Sequence, residues 1–185
     1  MTILVTVADG SEEMEVITLV DVLRRADLEV TLASLDERQV TCARGSRLVA
    51  DATFEEIAEF QFELIALPGG LGGAERQGQH QGLVGMLRGH QAEGRWIGAI
   101  CAAPALSLAA NGLIPAKAKI TGHPGFHNLL GDYRLKAGAA VVRDDQHRLI
   151  TSQGPGTALA FALALVELLL GKEKAQRVAA PMVLL

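Results

Sequence analysis

The chain predicts an α/β fold: a mostly parallel sheet covered by helices on both faces. Three observations carry this expectation. Short apolar runs alternate with amphipathic segments, the pattern that builds strand–helix–strand units. The runs have no polar face, as strands buried on both sides require. The 49% hydrophobic content comes mainly from Ala, Leu, Val and Ile, with only 4% aromatic residues, which suits a tightly packed core. A length of 185 residues leads us to expect one domain over residues 1–185, since ~100–200 residues make a typical one. A chain of that size buries roughly 70% of its unfolded surface and needs no disulfide or metal staple.

The elements follow in order. Thr2–Val7 is a buried strand by its β-branched run. Ser11 offers a helix N-cap, and Glu12 and Glu13 stand in a first turn where acids favour the helix dipole. Met14, Val16, Ile17, Val20 and Leu23 then mark an amphipathic helix to about Arg25. Glu29–Ser34 is the second strand. Residues 39–50 read as a hairpin turning at Arg44-Gly45-Ser46. A short helix is expected near Phe54–Phe60 and a third buried strand at Leu64–Leu67, ended by Pro68-Gly69-Gly70. A helix spans roughly Gln81–Gln91, and Trp96–Ile100 is a strand with Cys101 at its end. Pro104 suits the first turn of the next helix, which Asn111-Gly112 closes. Ala118–Thr121, Ala140–Arg143 and Leu149–Ser152 are later strands, the last two joined by the turn Asp144–His147. Thr157–Leu170 is the most apolar helix, ended by Gly171, and a short helix follows near Glu173–Val178.

Composition excludes several functions. A formal net charge of −4 argues against a duplex nucleic-acid reader, which needs a basic face. Met1–Val7 lacks a basic flank, so no signal peptide is expected. The apolar run Ala158–Leu170 is interrupted by Glu167 and too short for a bilayer. Cys42 and Cys101 form no CxxC pattern, so neither a zinc site nor a disulfide framework is expected. A reducing, cytoplasmic setting follows from that cysteine usage.

In folds of this class, ligands sit beyond the carboxyl ends of the strands. Three turns meet that condition: residues 8–11, 68–70 and 101–103. Cys101, flanked by Gly98, Ala99, Ala102 and Ala103, reads either as the nucleophile of a sharp strand-to-helix elbow or as a buried structural cysteine. A helix start behind it would favour a thiolate. Glu15 reads either as a surface acid or as a carboxyl aimed at Cys101, protonated there by burial and like charge. Gly69-Gly70 is either a plain turn or a source of N–H groups for an oxyanion. His123 precedes Pro124 and so lies in a loop, as a proton carrier or an ordinary polar residue. His123 and His127 are four apart, but Pro124 between them makes a regular helix, and hence a metal site, unexpected. His80, His90 and His147 read as solvated. Residues 72–74 and 154–157 lack the lysine and hydroxyl of a phosphate loop, and no GxGxxG follows the first strand, so nucleotide binding is not expected.

Four segments, residues 10–15 (GSEEME), 67–70 (LPGG), 99–104 (AICAAP) and 151–157 (TSQGPGT), together resemble the ThiJ/PfpI superfamily, and within it the Parkinsonism-associated deglycase branch. The resemblance runs from residue 2 to about residue 184. It implies a flavodoxin-like three-layer α/β/α sandwich and a homodimer. It implies that Cys101 is a reactive, easily oxidised cysteine, that Glu15 is a protonated glutamate touching its sulfur, and that Gly70 turns its amide toward it. His123 matches a nearby histidine that the family does not always keep. Arg25 and Arg44 match arginines near the dimer-side mouth of the pocket, and Cys42 matches a cysteine near the dimer interface. Ala102 stands where the peptidase-like branch carries a histidine, which disfavours peptidase and amidotransferase chemistry.

The activity implied is a cofactor-free glyoxalase or deglycase acting on small 2-oxoaldehydes (methylglyoxal, glyoxal) or glycated side chains. Cys101 would attack the aldehyde, Glu15 with His123 would move the proton, and amides at Gly70 and Ala102 would hold the oxyanion. The alternative is an oxidative-stress sensor or redox-regulated chaperone working through sulfinic acid at Cys101.

Overall fold

The structure, a computed structural model, describes residues 1–131 and 133–184. Its chain order is β1 (Thr2–Val7), α1 (Glu13–Arg25), β2 (Glu29–Ser34), β3 (Gln39–Thr41), β4 (Arg47–Val49), β5 (Ala52–Thr53), α2 (Phe54–Ile57), β6 (Leu64–Leu67), α3 (Leu71–Gln79), α4 (Gln81–Ala92) and β7 (Trp96–Ile100). A π-helical turn (Pro104–Leu108) and a 3₁₀ turn (Ala109–Asn111) come next. They are followed by β8 (Lys119–Ile120), a 3₁₀ segment (Pro124–Leu129), β9 (Arg134–Leu135), β10 (Val141–Asp144), β11 (Leu149–Ser152), α5 (Ala158–Leu170) and α6 (Lys172–Ala179).

Seven strands form one sheet in the order β10-β11-β7-β6-β1-β2-β5. Every pairing is parallel except β10 with β11, an antiparallel hairpin at the edge. The central strands β1, β6 and β7 carry side chains buried on both faces, which explains their unbroken apolar runs. Helices α1, α5 and α6 pack together as one layer, and α3, α4 and the π-helical turn as another. The strand order switches at β1, with β2 on one side and β6 and β7 on the other, and the carboxyl ends of β1, β6 and β7 open side by side, where such sheets place their ligands.

Several expectations need correction. Ser11 does not cap α1. Its buried hydroxyl accepts the N–H of Ala8 at 3.0 Å and closes the turn after β1, while Glu12 takes the cap position without a side-chain bond. The segment after Pro104 is a π turn running into a 3₁₀ turn, ended by Gly112 at φ +65°. Residues 118–121 supply only the two-residue β8, which pairs with β9 in a separate small sheet. Helix α3 was not expected, because its Gly-rich sequence has little apolar periodicity.

The histidines expected in solvent are engaged. His90 is buried, its Nε2 2.9 Å from the Trp96 carbonyl, and burial holds its pKa below the ordinary value. His80 caps α4 by accepting the Leu83 N–H and stacks edge-on against Phe54. His147 is hydrogen-bonded to the buried Asp144 at 2.9 Å. Among the described residues, no helix is long and apolar enough to cross a membrane.

Candidate active site

Cys101 follows directly on β7 and adopts φ +64°, the left-handed region that non-glycine residues rarely occupy. Such a conformation costs about 1–3 kcal/mol and persists only where the surroundings enforce it. They do so from both sides. The Cys101 N–H donates to the Ser152 carbonyl of β11 at 3.1 Å, and its carbonyl accepts the His123 N–H at 2.8 Å. Ala103 is already helical, so the chain turns from strand to helix within two residues. Only small neighbours fit such a corner.

The loop Pro68-Gly69-Gly70 is pressed against this elbow. An ideal Cβ on Gly69 would stand 2.5 Å from the Cβ of Cys101, and one on Gly70 would stand 2.5 Å from the Glu12 nitrogen. Gly70 also sits at φ +81°. Both positions therefore require glycine. All three carbonyls of the loop point away from the site and are bonded. Pro68 accepts from the Gln77 side chain at 2.8 Å, Gly69 from the Glu12 N–H at 3.1 Å, and Gly70 from the Ala74 N–H at 2.9 Å. The N–H groups are left to face inward: Gly69 donates to Glu15 Oε2 at 2.7 Å, and Gly70, with Ala102, donates toward the Cys101 sulfur.

Glu15 lies in the first turn of α1 and is fully buried. Its Oε2 accepts the Gly69 N–H, while its Oε1 is buried with no hydrogen-bond partner, and the carboxyl acts on the neighbouring Cys101 thiol. Burial pushes Glu15 up to about 7, against the pull of the Gly69 N–H and the thiol, and the charge of Glu12 adds to the rise. Burial, and next the Glu15 carboxylate, push the Cys101 thiol up to about 12, opposed by the Gly70 and Ala102 N–H groups. This runs against the expectation of a thiolate favoured by a helix start: the elbow leads into a five-residue π turn and a three-residue 3₁₀ turn, and the dry surroundings outweigh them. The site is too confined for two charges, so the pair carries at most one near neutrality. A thiolate forms only when Glu15 holds a proton. The carboxyl then donates to sulfur instead of repelling it.

Above the pair opens a cavity of about 460 Å³, lined by Cys101, Ala102, Gly70, Glu12, Arg44 and His123 among others. Cys101, 9% exposed, lines it; Glu15, at 0%, lies out of solvent against the Cys101 thiol. His123 Nδ1 accepts the Gly125 N–H at 3.1 Å, which places the ring proton of the neutral tautomer on Nε2. His123 is thus arranged to donate rather than to take up a proton.

Arg44 is held at the rim because the Glu13 carboxylate accepts the backbone N–H groups of Arg44 and Ser46. Glu13 and Glu12 therefore do more than favour the helix dipole: Glu13 anchors a turn, and Glu12 is buried at the cavity wall. Arg25 does not join the others within the chain. It pairs with Asp21 at the far end of α1, ten residues and about 15 Å along the axis from Glu15, beside a separate hollow with Lys174 and Arg177. Cys42 is a buried free thiol whose pKa burial, with Glu13, Glu12 and Asp9 nearby, pushes up to about 11. Among the described residues, no group of three or more His, Cys, Asp or Glu is placed to hold a metal ion. The sequence reading missed Gln77 altogether.

Fold and site together define a flavodoxin-like protein with a strained cysteine elbow facing a buried glutamate. Residues 1–168 match the DJ-1/PfpI family, and the chain belongs to that family. Protein dj-1beta of Drosophila melanogaster is 42% identical over 178 residues, covering 95% of this chain and 93% of that protein. Its crystal structure has a TM-score of 0.94 at 40% identity, covering 100% of this chain and 98% of that one. Protein DJ-1 homolog B of Arabidopsis thaliana is 44% identical over 173 residues, 93% of this chain but only 39% of that protein, so this chain spans less than half of that relative. The glutathione-independent glyoxalase DJR-1.2 of Caenorhabditis elegans is 35% identical over 178 residues, 95% of this chain and 92% of that protein. DJ-1 of Toxoplasma gondii, solved in an oxidized form, has a TM-score of 0.92 at 37% identity and covers 98% of this chain and 97% of that one.

Proposed function

We propose that Cys101 carries cofactor-free chemistry on small 2-oxoaldehydes such as methylglyoxal. One observation supports this above the others: a buried carboxyl of pKa about 7 lies against the sulfur of a strained, pocket-lining cysteine. A general acid–base group works best with a pKa near the operating pH. Sulfur attacks the aldehyde carbon, and the thiol proton passes through Glu15 to the aldehyde oxygen, giving a hemithioacetal. The Glu15 carboxylate then takes the proton from that carbon, and the electron pair moves to the neighbouring carbonyl as an enediolate. Returning the proton to the second carbon, while the hydroxyl proton on the first carbon passes to the second oxygen, leaves a thioester, which water hydrolyses to the 2-hydroxy acid and free thiol. One carbon is oxidised and its neighbour reduced, so no external oxidant enters. The N–H groups of Gly70 and Ala102 steady the charge as it moves from sulfur to oxygen. His123 Nε2–H serves the second oxygen, and Arg44 attracts polar substrates at the mouth.

The same hemithioacetal arises from early glycation adducts on Cys, Lys or Arg, which extends the reading to deglycation. The glyoxalase name of the C. elegans relative is in keeping with it. We read the working unit as a homodimer, in line with the outward-facing Met14 and Ile17 on α1, 58% and 49% exposed. The test is methylglyoxal consumption without glutathione. Cys101→Ser is expected to lose at least 100-fold in rate; equal consumption by both proteins overturns the enzyme reading.

A second reading rests on the N–H groups of Gly70 and Ala102 that already face the sulfur. They suit a sulfinate as well as an oxyanion, and a protonated Glu15 would add a third donor. Peroxide is the oxidant, and intact mass is expected to show a gain of two oxygens at Cys101. No such gain, at peroxide levels that oxidise free thiols, counts against a sensor.

A further inference from the structure

We propose that Gln77 is a positioning residue for the Glu15–Cys101 pair: its side-chain amide, clamped by Ser107, holds the Pro68–Gly69 peptide so that the Gly69 N–H stays aimed at Glu15. The inference rests on the acid–base reading of Glu15 given above and names a residue that acts through it.

The Pro68 carbonyl and the Gly69 N–H are opposite ends of one planar peptide unit. Gln77 Nε2 donates to that carbonyl at 2.8 Å, and the N–H at the other end donates to Glu15 Oε2 at 2.7 Å. A bond accepted at the carbonyl polarises the N–H and strengthens what it donates. The orientation of the Gln77 amide is fixed by its partners. The Pro68 carbonyl only accepts, so Nε2 faces it, and Oε1 faces Ser107 Oγ at 2.9 Å, whose single proton is shared with the Ala74 carbonyl at 3.0 Å. Gln77 and Ser107 are both buried, so water has little access to replace either bond.

The other two carbonyls of the glycine loop are held by backbone N–H groups, which no substitution of a side chain removes. Gln77 is the side-chain member of the set. Through Ser107 it also ties the loop to the π turn that follows Cys101. The two halves of the site are thereby braced from behind, outside the cavity.

Of the charged and titratable groups around the pocket (Glu12, Arg44, Cys101 and His123), Glu12 and Cys101 act on Glu15. The Gln77 side chain makes no hydrogen bond to either. Since the Gly69 N–H favours the Glu15 carboxylate, loosening its peptide makes Glu15 hold its proton to higher pH. Carboxyl NMR on glutamate-labelled protein reads this directly, comparing wild type with Gln77→Met, which keeps the length of the side chain, and with Ser107→Ala, which leaves the amide in place but unclamped.

The expected result is an upward shift of the Glu15 midpoint by about half a pH unit or more in Gln77→Met, a threefold change in proton affinity. Ser107→Ala should shift it in the same direction by less. A midpoint unchanged within 0.1 unit in the folded variants overturns the proposal. Should Gln77→Met fail to fold, Ser107→Ala decides it alone. The readout needs no substrate, so a wild type inactive on methylglyoxal would sink the proposed function while leaving this midpoint comparison intact.

Discussion

At Cys101 the backbone is strained and the side chain is confined, and under the proposed function both conditions serve reactivity. The strain fixes sulfur at the cavity floor, while the confinement makes its charge depend on Glu15. Glu15 is therefore the residue on which catalysis turns in this account. Glu15→Gln keeps the volume and an acceptor for the Gly69 N–H but cannot move a proton. Turnover is expected to fall roughly 10²–10⁴-fold, the usual worth of a positioned acid–base group, with the far-UV spectrum unchanged. Turnover within two-fold of wild type would refute the role. The sequence singled out Cys101 through its small neighbours, but it left Glu15 undecided among three nearby acids. Which of the three is buried depends on the Gly69 loop, 54 residues away, and that approach is invisible to local pattern. The family motifs supplied what periodicity lacked.

At the level of elements, the site is built by three turns that end β1, β6 and β7. Their strands were legible because parallel strands buried on both faces need uninterrupted apolar residues. The glycine loop between β6 and α3 is the tightest of the three joints, with Cys101 on one side and residues 10–12 on the other. Its carbonyls are bonded outward and its N–H groups inward, so the loop acts as a fixed donor surface. Helix α3 escaped the sequence reading because Gly72, Gly73 and Gly78 lower helix propensity and no Ser, Thr, Asp or Asn precedes it. Gly70 occupies the cap position without a side-chain bond. Tertiary packing against the π turn sustains it. The same helix carries Gln77, so missing the helix meant missing the brace. His80, His90 and His147 were misread for a related reason: His80 caps its own helix against Phe54, His90 is claimed by the Trp96 carbonyl and His147 by the buried Asp144, none of which single-residue polarity reveals.

Across the whole molecule, folding places an acid where water does not reach it, and this has a thermodynamic signature. The pKa of Glu15 rises from 4.5 to about 7 on folding. The folded state thus binds an additional proton between those values. Its contribution to stability is full below about 4.5 and is lost as pH rises through about 7. The 2.5-unit rise corresponds to roughly 3 kcal/mol. Glu13, Glu56, Glu63 and Asp144, held below their usual range by hydrogen bonds despite slight burial of some, act in the opposite sense, so the wild-type curve alone does not isolate Glu15. The difference between wild type and Glu15→Gln does. The decisive measurement is the melting temperature of both proteins from pH 4.5 to pH 8. The advantage of the Gln variant is expected to grow by several degrees across that interval, whereas a difference constant within one degree would mean that Glu15 is not held protonated by the fold, and the shared proton at Cys101 would go with it.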